Sequence, residues 1–323
     1  MVHAIRVHQA GGPEVLQWEE LEVGEPRRGQ VRLKQEAVGL NYIDVYHRTG
    51  LYPQELPFVP GVEGAGVVTA IGSGVTSLTI GDRVAYGGPI GSYAEERLVD
   101  ADRLVKLPDD ISFETAAAMM LQGMTAHMLL RSVYSVKAGD AILVHAAAGG
   151  VGLILCQWAN ALGATVIGTV STDEKAELAR THGCQHPIVY TRQDFVEEVD
   201  RLTGGTKLPV VYDSVGKDTF LKSLDCLRPR GLMVSYGNAS GPVDPFPPAI
   251  LAQKGSLFLT RPTLFHYSAA RADLEHAANE LFEVVAKGKV RIEVKQRFPL
   301  KHAADAHRAL EARKTTGSTI LTV

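Results

Sequence analysis

Cysteine is scarce in this sequence. Cys156, Cys184 and Cys226 are its three cysteines in 323 residues, too few and too scattered for a disulfide framework or a metal knuckle. An excess of charge of one sign is also missing. Lys+Arg 33 against Asp+Glu 36 gives a net charge of -3, with no basic stripe for nucleic acid and no charged tail for a partner. No apolar run approaches membrane-spanning length, and MVHAIRVHQAGGPEV lacks the apolar core of a signal peptide. Repeats and low-complexity segments are absent as well. The expectation is a cytoplasmic protein that engages neither membrane nor nucleic acid. What is present is 45% hydrophobic and 21% charged residues, a globular composition long enough for two domains.

The first 120 or so residues read as short strands and turns: AIRVHQ, VRLKQEAVGL, AGVVTAIG, DRVAYGG and RLVKLP, separated by Gly, Pro, Asp and Ser. A helical stretch follows in ISFETAAAMMLQGMTAHMLL. From residue 140 strands and helices alternate, as in AILVHA then GLILCQWANAL, TVIGTVS then DEKAELARTHG, and PVVYDS then DTFLKSLDCLRP. Apolar runs without alternation, joined by amphipathic helices, predict a doubly wound parallel sheet. RADLEHAANELFEVVAKGKV and RFPLKHAADAHRALEARK then read as helices and STILTV as a closing strand. The predicted class is α/β: a β-rich domain over 1–123 and 263–323, with a parallel-sheet domain inserted over 124–262.

AILVHAAAGGVG fits a dinucleotide-binding fingerprint in a strand–turn–helix context, with Ala147 in place of the first glycine. Gly149 has no side chain to block a pyrophosphate, and Gly152 lets the helix pack closely on the strand. Backbone N–H groups at Gly150 and Val151 would face the phosphates. A tight turn in a glycine-rich sheet protein is the alternative. The second strand ends at Ser171, with Lys175 four residues on, where an NAD-binding protein usually places an acid. A hydroxyl and an ammonium suit a 2′-phosphate, so NADPH is the expected cofactor; Lys175 as an ordinary surface lysine is the competing reading. Asp173 and Glu174 weaken this unless they face the helix dipole. Tyr190 stands at the end of the third strand, against the adenine or the extra phosphate. His145 reads as a hydrogen-bonded packing residue, Asp44 as structural and Cys156 as unreactive.

GGPEVL at 11–16, NYIDVYHRTGLYP at 41–53, PGVEGAG at 60–66, GDRVAY at 81–86, HAAAGGVG at 145–152 and VVYDSVG at 210–216 carry a resemblance over nearly the full chain. The sequence resembles the medium-chain dehydrogenase/reductases and, within them, the zinc-free quinone oxidoreductases that include zeta-crystallin. SLDCLRPRGLMVSYGNASG and QKGSLFLTRP make it most similar to the bacterial NADPH:quinone oxidoreductases. The resemblance implies a GroES-like domain built from both chain ends, an inserted Rossmann domain, nicotinamide in the cleft between them, and a homodimer with GSLFLT at its edge. It also implies cofactor contacts at Thr125, Met128, Ser214, Val215, Gly237 and Asn238, with Leu259 and Thr260 flanking the nicotinamide and Arg313 or Lys314 approaching it.

Zinc alcohol dehydrogenases of this superfamily carry a cysteine and a Gly-His-Glu motif where this chain has GLNYID and GVEGAG. Asn41 stands near the cysteine position, Val62 takes the histidine's place and only Glu63 remains, so no metal is expected. Without a Lewis acid an alcohol is hard to oxidise, whereas a quinone or activated enone takes up hydride readily. Asn41, Tyr46 and Tyr52 are the residues expected beside that acceptor: Asn41 to donate to a developing oxyanion or to contact the ribose, the tyrosines to offer flat faces and hydroxyls. Tyrosines that merely fill the β-domain surface are the alternative. No residue is assigned as an obligatory acid or base. The expected function is NADPH-dependent reduction of quinones. The alternatives are reduction of α,β-unsaturated carbonyls and a non-catalytic NADPH-binding role.

Overall fold

Along Gln30–Leu40 the side chains of Val31, Leu33, Gln35 and Ala37 are buried while Lys34 and Glu36 are exposed, the period-two pattern of a half-covered strand. This strand is the spine of the first of two units into which the chain divides. The computed structural model describes residues 1–323. One unit comprises Met1–Met124, Ser268–Ala286 and Ile292–Val323; the other comprises Thr125–Tyr267 and Lys287–Arg291. The sequence-based division at residue 262 thus differs from the observed one at Ser268, and it did not include Lys287–Arg291 in the inserted unit.

The strands are β1 (Val2–Arg6), β2 (Gln17–Leu21), β3 (Gln30–Leu40), β4 (Glu63–Ile71), β5 (Arg83–Gly87), β6 (Glu96–Asp100) and β7 (Val105–Lys106) in the first unit. Then come β8 (Ala141–Val144), β9 (Thr165–Val170), β10 (His186–Val189), β11 (Leu208–Asp213), β12 (Leu227–Ser235) and β13 (Phe258–Thr260) in the second, and β14 (Val294–Pro299) and β15 (Ser318–Thr322) back in the first.

In the first unit the main sheet runs β14-β15-β3-β4-β5-β7, with β6 also paired to β3 and β1-β2 forming a separate pair. Its neighbours are antiparallel except β14 and β15. Val31, Leu33, Val68, Val84, Tyr86 and Leu104 form one core, and Ile5, Val7, Val38, Leu40, Tyr93, Leu300 and Leu321 another. The stretch read as helix over 297–314 is helical only from Ala303 to Glu311, because VKQRFP alternates half-buried and exposed residues and pairs with β15. The stretch read as helix over 111–130 also breaks, into Phe113–Ala117 and Met120–His127.

In the second unit six parallel strands lie in the order β10-β9-β8-β11-β12-β13, a doubly wound sheet whose order reverses between β8 and β11. Helices Gly150–Ala161, Asp173–Thr181 and Phe195–Thr203 connect β8, β9, β10 and β11 in sequence. Leu143, Ile167, Ile188, Val199, Val211, Phe220 and Met233 fill its core. No helix is long and apolar enough to cross a membrane.

Candidate active site

β8 ends in a turn in which Ala146 takes a left-handed φ of 53°, an uncommon conformation for a residue with a side chain. A Cβ on Gly152 would lie 2.3 Å from the Ala146 carbonyl oxygen and 2.9 Å from Ala147 Cα, so only glycine permits this approach of helix to strand. A Cβ on Gly149 would meet only the Ala146 oxygen at 3.2 Å, and Gly149 is the N-terminal cap of the helix that carries Gly150 and Val151. Gly152 therefore serves packing, while Gly149 keeps the face of the turn clear.

His145 beside this turn is wholly buried, with Nδ1 2.8 Å from Thr169 Oγ1 and Nε2 2.8 Å from Ser223 Oγ. Burial pushes its pKa down, which keeps the ring neutral. Both nitrogens are spent on neighbours, as a packing residue requires.

At the ends of β9 and β10 the loops are tied together. Tyr190 N–H donates to the Val170 carbonyl at 3.1 Å, and Thr191 Oγ1 donates to the Ser171 carbonyl at 3.1 Å. Thr172 caps the following helix by accepting from Lys175 N–H at 3.3 Å. Ser171, Lys175 and Tyr190 thus stand in the segments that follow the neighbouring strands β9 and β10.

The turn after β11 is built by a residue the sequence reading passed over. Asp213 is wholly buried, and its Oδ1 accepts from Val215 N–H at 2.7 Å, Gly216 N–H at 3.1 Å and Thr219 Oγ1 at 2.9 Å. An acid followed by Ser-Val-Gly is an Asx-turn signal, so the sequence held a clue. Ser214 and Val215 stand on that turn, and Gly237 packs so close that a Cβ would lie 2.4 Å from the Ser214 oxygen. Arg261 then ties the end of β12 to β13: it donates to Ser235 Oγ (3.2 Å), to the Gly237 carbonyl (3.0 Å) and to Asn238 Oδ1 (3.0 Å). Nothing in the sequence around Arg261 announces that role. Of the remaining expected contacts in this unit, Thr125 is half-buried, Met128 is buried and Leu259 and Thr260 lie on β13.

In the first unit Asn41 caps the start of the helix Tyr42–Arg48, Tyr46 lies on it and Tyr52 just after it. The Asp44 carboxylate accepts from Asn41 N–H at 2.9 Å, closing the start of that helix. The Tyr46 and Tyr52 rings meet edge to face at 5.1 Å, and Tyr42 lies 5.7 Å from Tyr46. The Asn41 side chain is fixed at both ends: Nδ2 donates to Glu63 Oε2 at 2.6 Å, and Oδ1 accepts from Gln122 Nε2 at 3.1 Å. Glu63 Oε1 accepts from Leu121 N–H at 2.8 Å, and Ser318 Oγ lies 2.7 Å from Gln122 Oε1. Burial pushes the Glu63 carboxyl up to about 8. Gln122 and Ser318 were invisible as site residues, since neither has a motif of its own.

A second buried chain starts at Asp44, whose carboxyl burial pushes up to about 7. Tyr93 Oη donates to Asp44 Oδ2 at 3.0 Å, and His307 Nε2 lies 3.1 Å from the same hydroxyl. His307 Nδ1 is 3.1 Å from Arg48 Nη1, and Arg48 grips Glu311 with two bonds of 3.0 and 2.8 Å. Asp44 is structural in this sense: it anchors the helix that carries the tyrosines. Arg313 and Lys314 follow the helix Ala303–Glu311 and are exposed.

This arrangement has relatives. Residues 27–109 match the alcohol dehydrogenase GroES-like domain, and residues 150–283 match the zinc-binding dehydrogenase family. A quinone oxidoreductase of Pseudomonas aeruginosa is 54% identical over 323 residues, 99% of either chain. The chain belongs to the quinone oxidoreductase family of medium-chain dehydrogenase/reductases. A crystal structure of the Escherichia coli quinone oxidoreductase complexed with NADPH superposes with a TM-score of 0.98 at 48% identity, covering 99% of this chain and all of that one. A 2-haloacrylate reductase from a Burkholderia species is 50% identical over 329 residues, 99% of either chain.

The zinc in the family description finds no fitting donor set around Asn41, Val62 and Glu63 in this member of the quinone oxidoreductase family. Asn41 and Val62 offer no thiolate or imidazole, and both oxygens of Glu63 already accept hydrogen bonds from Asn41 and Leu121. The Asn41 amide is neutral, and Glu63 holds it.

Proposed function

We propose that this chain reduces quinones by hydride transfer from NADPH and uses no metal. The observation that carries the reading is Asn41, locked between Glu63 and Gln122 where a metal-dependent relative would need a ligand. With one Nδ2 hydrogen on Glu63 and Oδ1 on Gln122, the second Nδ2 hydrogen is the group left to donate. Asn41 can therefore stabilise negative charge developing on an acceptor oxygen, but it cannot ionise an alcohol. A quinone spreads that charge over its ring and needs little more than positioning.

The second unit fits the cofactor. The open face of Gly149 and the N–H groups of Gly150 and Val151 suit a pyrophosphate. Ser171, Lys175 and Tyr190 would receive the 2′-phosphate and adenine, and the turns at Ser214–Val215 and Gly237–Asn238 would border the nicotinamide half, with Thr125, Met128, Leu259 and Thr260 completing the contacts in this unit. NADPH, when bound, supplies the hydride. Tyr52, half-buried and edge to face with the buried Tyr46, would offer the surface against which a planar acceptor lies, with the final proton from solvent. The Escherichia coli relative seen with NADPH and the Pseudomonas aeruginosa quinone oxidoreductase support this assignment.

Reduction of activated alkenes is the second reading, favoured by the 2-haloacrylate reductase at 50% identity. The deciding assay follows oxidation of NADPH and, separately, of NADH with 1,4-benzoquinone, an ortho-quinone, 2-chloroacrylate and an alkenal. NADPH-specific turnover fastest with quinones is the expected result. Turnover with the alkenes alone moves the function to the second reading, and stoichiometric zinc in the active protein sinks the metal-free site. We also assign the working form as a homodimer joined through the edge strand β13, whose Phe258 and Leu259 are exposed.

A further inference from the structure

Two acids, Asp173 and Glu174, stand just beyond β9, close to where an NAD-binding protein puts the carboxylate that takes the ribose 2′-hydroxyl. A free carboxylate there would oppose the 2′-phosphate of NADPH. The structure accounts for both acids, in different ways. The Glu174 carboxyl turns onto its own helix start, where its backbone N–H and the Thr172 hydroxyl hold it below the usual carboxylate range.

Asp173 instead enters a two-point ion pair. Arg192 Nη1 donates to Oδ2 at 2.6 Å, and Nη2 donates to Oδ1. Arg192 comes from the turn after β10, the turn that Tyr190 N–H and Thr191 Oγ1 fasten to Val170 and Ser171. The guanidinium is therefore carried by a loop tethered to the end of β9 at two other points, beside Ser171 and Lys175. An exposed pair of this kind adds little to stability. Its effect belongs to what lands next to it.

We propose that Arg192 is a cofactor-selectivity residue: by occupying both oxygens of Asp173 it removes the one carboxylate that would attract a ribose 2′-hydroxyl and repel a 2′-phosphate. The inference rests on the NADPH reading above. It makes the end of β9 a masked version of an NAD site, in which the acid is present and a basic residue from the neighbouring strand's loop cancels it. Arg192 acts through Asp173, so the two residues should be coupled.

The test is a double-mutant cycle with Arg192→Gln, Asp173→Asn and the double variant, read by calorimetric binding of adenosine 2′,5′-diphosphate and of 5′-ADP, which lacks the 2′-phosphate. Arg192→Gln should weaken the 2′,5′-diphosphate roughly fivefold, the size of one unscreened charge a few ångströms away in water, and leave 5′-ADP within about twofold. The double variant should return to near the wild-type affinity, because removing both charges restores neutrality. An unchanged affinity in Arg192→Gln overturns the proposal. So does a double variant as weak as Arg192→Gln, which would mean that Arg192 touches the phosphate itself. If the wild-type protein binds the two ligands equally, the NADPH reading falls and takes this inference with it. A wild type that discriminates alongside an inert Arg192→Gln removes the inference alone.

Discussion

Lys175 and Asp44 show how differently a single charge acts at the rim and in the interior. Lys175 is half-buried at the start of its helix, and a charged hydrogen bond to a 2′-phosphate is worth about 1.5–3 kcal/mol. Lys175→Ala should therefore raise the KM for NADPH about tenfold to a hundredfold while that for NADH hardly moves; equal effects on both would remove the 2′-phosphate assignment. Asp44 has the opposite setting: its Oδ1 has no hydrogen-bond partner and no solvent. Asp44 and Glu63 keep their protons to about 7 and about 8 when folded but lose them near 4 when unfolded. Their share of stability is thus full at low pH and drains away as pH rises from about 4 through 7–8. His47 and His307, depressed by burial to about 4 and about 3, pull the other way, adding stability as pH climbs to their unfolded value near 6.5. The two trends offset each other between about pH 4 and 6.5 and leave a fall above it. Urea midpoints between pH 6.5 and 8 should decline for the wild type and decline less steeply for Asp44→Asn; a wild-type midpoint that rises across that window would rule out the buried protonated acids.

At the scale of elements, the turn after β8 divides its glycines between two jobs that a pair of variants can separate. Gly152→Ala drives a Cβ into the Ala146 backbone, so the helix must back off the strand, at a cost of about 1–3 kcal/mol. Gly149→Ala meets one backbone oxygen at 3.2 Å and should lose much less melting temperature than Gly152→Ala, yet lose NADPH affinity in a fluorescence titration because its methyl group stands where phosphate must come. Equal melting losses in the two would show that both glycines are structural. This turn was legible in the sequence because a strand, a turn and a helix start lie within a dozen or so residues and each has a local signature. β14 was not: VKQRFP carries charge on its exposed positions and continues into a true helix, so helical spacing absorbed it. The Asn41 lock was half legible. The change at Asn41 and Val62 from metal ligands can be read by motif, but Gln122 reaches Asn41, and Ser318 reaches Gln122, from segments remote in sequence, and no periodicity records those meetings.

For the whole molecule, the alternation of apolar runs and helices after residue 140 was enough to foretell the doubly wound sheet, since each strand and the helix that follows it lie next to each other in sequence. The edge strand was legible as an apolar segment, and its register beside β12 follows from the pairing of Met233 with Leu259. If β13 joins two copies, Leu259→Lys should convert dimer to monomer in light scattering at micromolar protein, with the melting temperature falling alongside; a wild type that is already monomeric would withdraw the dimer. The return of Lys287–Arg291 to the inserted unit escaped sequence reading because it is a brief excursion secured by Gln157, whose amide bonds the Arg291 backbone at 3.0 and 2.9 Å.

The place of β15 sets the timetable of synthesis. It lies inside the first unit's sheet, between β14 and β3, with Thr319 opposite Leu40. Almost the whole chain must leave the ribosome before β3 gains that neighbour, whereas every strand of the inserted unit's sheet is available by Thr260. The segment made in the middle can form its whole sheet first, while β3, made earlier, waits for the last strand.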